Sequence, residues 1–211
     1  MNAMLTKAGI VLSEGQLTQL WQYHNLLRQR NEDRELTRII GFEPMVIKHY
    51  VDCMIVGDLT ELPSPLVDVG SGPGFPGIPL KIRYPHLEMI LAEPRPKRIV
   101  FLEEACALLK LQNVKIFEHK VVSKSFTTPV KGVITRAVEE IEKTMLRTSG
   151  SLQIGGELIF MKGPGVDPEI KDAQRRFGGA FELTLDKAYR LPGTPHERRL
   201  VIFRKNAPLP Q

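Results

Sequence analysis

A chain of 211 residues with 42% hydrophobic and 25% charged content is too apolar for intrinsic disorder and long enough for one sizeable α/β domain with a small appendage. No apolar run approaches the ~20 residues of a membrane span, and "MNAMLTKAGI" lacks a signal-peptide core, so a cytoplasmic protein with no membrane partner is expected. A net charge of +5 permits a polyanionic partner such as RNA without requiring one.

The first helix signal is "LSEGQLTQLWQYHNLLRQR". Ser13 and Gln16 have capping-box spacing, with Leu12 and Leu17 as the matching hydrophobic staple. Leu17, Leu20, Trp21, His24 and Leu27 then fall on one helical face, which makes His24 a packed histidine rather than a ligand. A second helical pattern runs from Pro44 to Ile55, with Val46, Ile47, Tyr50, Val51 and Met54 as its buried side. Together these segments predict an N-terminal helical cap over residues 1–60. Cys53 and Cys106 form no C-x-x-C pair and are expected as reduced core thiols. The five histidines lack metal-ligand spacing, so no metal is expected.

From Leu66 the period changes. Short apolar runs occur at Leu66–Val69, Leu87–Ala92, Val114–Phe117, Val133–Thr135 and Glu157–Met161, separated by helical patterns, notably Lys97–Lys110 and Glu139–Thr148. That alternation predicts a parallel sheet with right-handed crossovers. Two final β patterns, Phe181–Leu191 and Arg198–Arg204, have no helix between them and should pair as an antiparallel hairpin. The expectation is a seven-stranded doubly wound α/β sheet over residues 61–205, followed by a flexible tail at 206–211.

The stretch "LVDVGSGPGFPG" puts a lone carboxylate at the end of the first strand and four glycines just beyond it. Open α/β sheets bind ligands at this place, beyond the carboxyl ends of the strands. Two nucleotide cradles fit the spacing. Gly72-x-Gly74-x-x-Gly77 matches a dinucleotide fingerprint, and Asp68-x-Gly70-x-Gly72-x-Gly74 matches the cradle of S-adenosylmethionine-dependent methyltransferases. Asp68 decides for the second, because a carboxylate there suits a ligand bearing an amine and a sulfonium. Pro73 and Pro76 also remove amide donors that a pyrophosphate would need. Glu93, closing "LEMILAE", can accept from a ribose diol in either case.

At this point the chain resembles the RsmG family, also called glucose-inhibited division protein B. The resemblance is carried almost end to end by "AGIVLSEGQLTQLWQYHNLL", "KHYVDCM", "VDVGSGPGFPGIPL", "KRIVFLEEACALLKLQNVKI", "VITRAV", "FMKG" and "PGTPHERRLVIFRK". It implies a class I methyltransferase fold and a cytoplasmic enzyme, expected here as a monomer. The implied reaction is methyl transfer from S-adenosylmethionine to guanine N7 in small-subunit (16S) ribosomal RNA, free or in its ribonucleoprotein particle. It also implies that Gly70, Phe75, the backbone of Glu93, Pro94 and Arg95, the backbone of Val121 and Val122, and Arg136 line the cofactor site. The chain departs from the family where Lys120 and Val122 replace an arginine and a glutamate, and where Arg30 and Glu35 replace a tryptophan and an asparagine.

The residues present suit that target. "VITRAV" stands where an exocyclic-amine methylase carries an Asn/Asp-Pro-Pro-aromatic motif, and no cysteine is placed to attack a pyrimidine. Guanine N7 has a free lone pair and no proton to lose, so it needs positioning more than a base. Arg136 suits the methionine carboxylate, O6 or a phosphate. Lys162 at the mouth of the fifth strand, with Arg198 and Arg199, can add contacts to RNA phosphates. Two rival readings are an S-adenosylmethionine-responsive RNA-binding module without turnover and a small-molecule methyltransferase with a helical lid.

Overall fold

A computed structural model describes residues 1–209 of the chain. Its N-terminal part is helical: α1 (Asn2–Lys7), α2 (Glu14–Arg34), and a run made of α3 (Phe42–Met45), a π-helical segment (Val46–Val51) and α4 (Asp52–Met54), then α5 (Val56–Leu59). The capping box at the start of α2 is formed, with Gln16 N donating to Ser13 Oγ and Ser13 N donating to Gln16 Oε1. Leu20, Tyr23, His24 and Leu27 are fully or almost fully buried. Trp21 is a correction to the predicted stripe. It is 39% exposed and stacks on Phe42, because the stripe centres on residues 20, 23, 24 and 27, which leaves position 21 at its margin.

The strands are β1 (Leu66–Val69), β2 (Met89–Ala92), β3 (Val114–Phe117), β4 (Val130–Arg136), β5 (Leu152–Lys162), β6 (Phe181–Arg190) and β7 (Glu197–Lys205), in the order β3-β2-β1-β4-β5-β7-β6. Neighbours among β1–β5 pair in parallel, and β7 runs antiparallel to both β5 and β6. This is the predicted sheet with its terminal hairpin. β4 and β5 begin earlier than the sequence pattern suggested. Their first halves carry a register shift between Val130 and Gly132 and a left-handed Gly155, and Ile154 is exposed, so no apolar alternation marks them.

Helices α6 (Gly77–Arg83), α7 (Pro96–Leu108), α8 (Ile141–Thr148) and α9 (Asp167–Phe177) cover the sheet. One core gathers α8 and α9 against Val67, Val133, Phe160 and Phe203. The other joins α6 and α7 with the N-terminal helices and reaches Ile134, Ile159, Leu200 and Ile202. The cap therefore forms part of one face of the sheet. Between β3 and β4 the chain makes no helix. Within the expected tail, Asn206 and Ala207 both donate to Ala180 O, and residues 210 and 211 lie outside the described residues. No helix among the described residues is long and apolar enough to cross a membrane.

The cap also touches the glycine loop directly. Tyr23 is fully buried and its hydroxyl donates to Pro73 O at 2.6 Å. Tyr23→Phe leaves that buried carbonyl without its donor, so unfolding should cost about 1–3 kcal/mol less than in the wild type. Urea titration should show this as a lower midpoint with unchanged slope.

Candidate functional site

Strand order reverses between β1 and β4, so the loops leaving their carboxyl ends diverge and open a crevice. It is a cleft of about 820 Å³. Val69–Gly72 form its floor, Ala92–Arg95 and His119–Val121 one wall, Arg136–Glu139 the other, and Thr37, Lys48, His49 and Asp52 of the cap close it from above.

The floor is bare backbone. Gly70 (φ +73°) and Gly72 (φ +58°) are left-handed, which glycine adopts without penalty, and a Cβ on Gly70 would meet the Val138 side chain. Glu93, 2% exposed, holds this loop in shape. Its Oε2 accepts from Gly72 N at 2.9 Å, its Oε1 accepts from Arg95 N at 3.0 Å, and Arg98 lies 3.6 Å away. Both oxygens keep lone pairs for further donors.

Asp68 lies behind the loop and does not line the cleft. Its Oδ2 accepts from Gly77 N at 2.8 Å at the start of α6, and its Oδ1 has no partner. Burial pushes this carboxyl up to about 7, against the pull of the Gly77 hydrogen bond. The amine-accepting role expected of Asp68 is thus not a direct contact in this structure. Gly74 also stays outside the cleft: at φ +105° its missing Cβ leaves room for Ile78.

The opposite wall is built around a half-buried cation. Arg136, the last residue of β4, donates to Lys48 O (3.1 Å) and to His49 Nδ1 (3.0 Å), and sits 3.6 Å from Asp52 Oδ2. The Lys48 carbonyl that accepts from Arg136 lies within the π-helical segment. Burial, and then the Arg136 charge, depress the His49 pKa to about 3. The ring is therefore neutral, accepts at Nδ1, and donates from Nε2 to Thr37 Oγ1 at 2.9 Å. It stacks on Phe75 at 4.3 Å, and the Arg136 guanidinium lies 5.0 Å from the same ring. Asp52 in turn accepts from Tyr189 Oη at 3.0 Å and Arg198 Nε at 3.4 Å.

Of the residues predicted from sequence, Gly70, Gly72, Phe75, Glu93, Pro94, Arg95, Val121, Arg136, Lys162 and Arg198 meet around this cleft. Asp68, Gly74, Val122 and Arg199 do not line it. Lys162 is held by Glu169 and Glu139 O, and Arg199 by Asp186 and Asp167. Sequence reasoning missed Thr37, Asp52 and Arg147, and treated His49 only as part of a motif. A polar, buried position inside the second helical stripe was the available signal for His49 and Asp52.

The family model for rRNA small subunit methyltransferase G matches residues 16–187. A protein of Syntrophobacter fumaroxidans named ribosomal RNA small subunit methyltransferase G 2 is 50% identical over 99% of this chain, which spans only 42% of that relative's length. One of the same name from Bdellovibrio bacteriovorus is 44% identical over 95% of this chain and 79% of its own. Among solved structures, a SAM-dependent O-methyltransferase from Thermotoga maritima shares the fold, with a TM-score of 0.57 and 13% identity over 88% of this chain and 73% of that one.

Two variants probe the floor. Glu93→Gln turns one acceptor into an amide donor facing a backbone N–H, so loop and ligand binding both suffer. S-adenosylmethionine affinity should fall about tenfold or more, at the cost typical of a lost charged hydrogen bond, as read by calorimetry. Asp68→Asn concerns pH. A carboxyl raised to about 7 in the folded state, against an ordinary value of 3.8, stabilises fully below pH 4 and loses that contribution as pH rises through 7. Ligand-free Asp68→Asn should therefore gain stability over the wild type between pH 4 and 7 and hold the gain at pH 8. Parallel thermal melts at pH 4 and pH 8 with no such divergence would exclude the buried charge.

Proposed function

The chain belongs to the rRNA small subunit methyltransferase G family, and on that premise we propose that it methylates N7 of a guanine in bacterial small-subunit rRNA, in the cytoplasm. The observation that carries the reading is the cleft itself: a bare glycine floor beside a doubly anchored carboxylate, facing an arginine fixed at the end of β4. The floor fits S-adenosylmethionine. Gly70 and Gly72 leave backbone open to close approach, and Glu93 presents lone pairs that suit the ribose diol. Phe75, Pro94 and the backbone of Arg95 and Val121 complete the site. The bound cofactor supplies an electrophilic methyl on a sulfonium.

The remaining chemistry is positioning. The groups nearest Arg136 are committed: both nitrogens of His49 are engaged and Glu139 is paired with Arg147, while His119 stands exposed on the far wall beside Phe117. Burial raises the Cys53 thiol to about 12, which excludes a thiolate nucleophile. A nucleophile that must first lose a proton is poorly served here, whereas guanine N7 attacks with a lone pair already free. Arg136 is held from three sides, so it meets the ligands as a fixed fork. It suits an oxygen acceptor such as O6 or a carboxylate rather than N7, which it would block.

Mapping 7-methylguanine in small-subunit rRNA from cells lacking and carrying this chain tests the function. One position should gain the mark, and identical maps would leave the non-catalytic RNA-binding reading. Arg136→Lys tests the positioning. It keeps the charge and loses the planar fork, so binding of cofactor and RNA should persist while single-turnover methyl transfer slows on the order of a hundredfold. A wild-type single-turnover rate would remove Arg136 from the reacting centre.

A further inference from the structure

The cations of the cleft fall into two sets. Arg98, Arg136, Arg147, Lys162 and Arg198 each face a carboxylate within 4 Å, Arg136 and Arg198 sharing Asp52, so most of their charge is taken up inside the fold. Such a group can serve a phosphate only by sharing or abandoning its partner. Lys48, Arg95 and Lys120 line the same cleft, yet among the described residues their side chains form no ion pair and no hydrogen bond. Lys97, exposed on the first turn of α7 beside Arg95, is likewise unpaired. These charges stand on opposite sides of the opening. Lys48 belongs to the cap above β4, while Arg95, Lys97 and Lys120 follow β2 and β3.

We propose that Lys48, Arg95, Lys97 and Lys120 form the rim on which the RNA backbone rests, its strand crossing the mouth so that phosphates meet both sides and one base enters between them. The proposal builds on the rRNA methyltransferase reading. It moves the backbone contacts away from Lys162 and Arg199, whose charges the fold already uses. Arg95, Lys97 and Lys120 are exposed and Lys48 is half-buried, and because none is paired they can meet phosphates and release counterions without breaking an internal pair. The helical cap is then one half of the RNA-binding surface.

The test compares two triple variants of equal net charge. In the rim variant Lys48→Gln, Lys97→Gln and Lys120→Gln remove unpaired cations; Arg95 is kept because its backbone amide holds Glu93. In the control Arg175→Gln, Arg190→Gln and Arg204→Gln remove cations paired on the surface away from the cleft. Small ribosomal subunits from cells lacking the enzyme serve as substrate, and their extracted rRNA as binding probe. Each phosphate contact contributes about 0.7–0.9 to the slope of log affinity against log salt, so the rim variant should lose about 2 from the slope. Its KM for subunits should rise about tenfold or more, with S-adenosylmethionine affinity unchanged. The control should match the wild type in slope and KM. Equal slopes and KM for the two variants would overturn the rim while leaving the function intact. A wild-type protein that transfers no methyl to subunits or rRNA would instead overturn the function on which the rim depends.

Discussion

A guanidinium half-buried at the end of a central strand needs counter-charge and partners for its N–H groups, and this requirement organises the molecule. Arg136 cannot be served by the sheet that carries it. Its partners come from the cap: the Lys48 carbonyl, the His49 ring and the Asp52 carboxylate. The cap is thus bound to the sheet by electrostatic need as well as by apolar packing. The same carboxylate reaches the terminal hairpin through Tyr189 and Arg198. Three segments distant in sequence thus share one acidic residue.

The two walls of the cleft use opposite strategies. On the β4 side a cation is held rigid by neutral and acidic neighbours, which suits a group that must orient without moving. On the β2 side Glu93 is fixed by two backbone amides, so its remaining lone pairs point into the cleft before any ligand arrives. Both arrangements place the ordering entropy in folding rather than in binding. Asp68 shows the accompanying cost, since an unpartnered buried oxygen persists under the loop in order that α6 can begin at Gly77.

Much of this was legible in the sequence, for identifiable reasons. Clusters of β-branched and apolar residues bounded by turn signals mark strands, so Leu66–Val69 and Val114–Phe117 were found with their observed ends, although only the first is buried throughout. The capping box at Ser13 and the glycine pattern after Asp68 encode backbone geometry in residue type, and both survive in the structure. Legibility failed where position depends on distant partners. Nothing local says that Lys162 is spent on Glu169 or that Arg199 is spent on Asp186. Nor does periodicity reveal a π-helical turn, within which His49 stacks on Phe75. Trp21 was misplaced because an aromatic at the margin of a stripe scores like one at its centre.

The sequence separations across Asp52 bear on how the protein is made. Its bond to Tyr189 closes over 137 residues and its bond to Arg198 over 146, whereas Arg136 meets His49 over 87. Contacts of such span form late, after most of the chain is available. During synthesis the glycine loop, Glu93 and Arg136 all leave the ribosome before β7, whose antiparallel pairing with β5 flanks the cleft. A nascent chain therefore carries the ligand-facing residues well before it carries the strand that braces them. A chain that stops before β7 lacks Arg198 and with it one of the groups that meet Asp52.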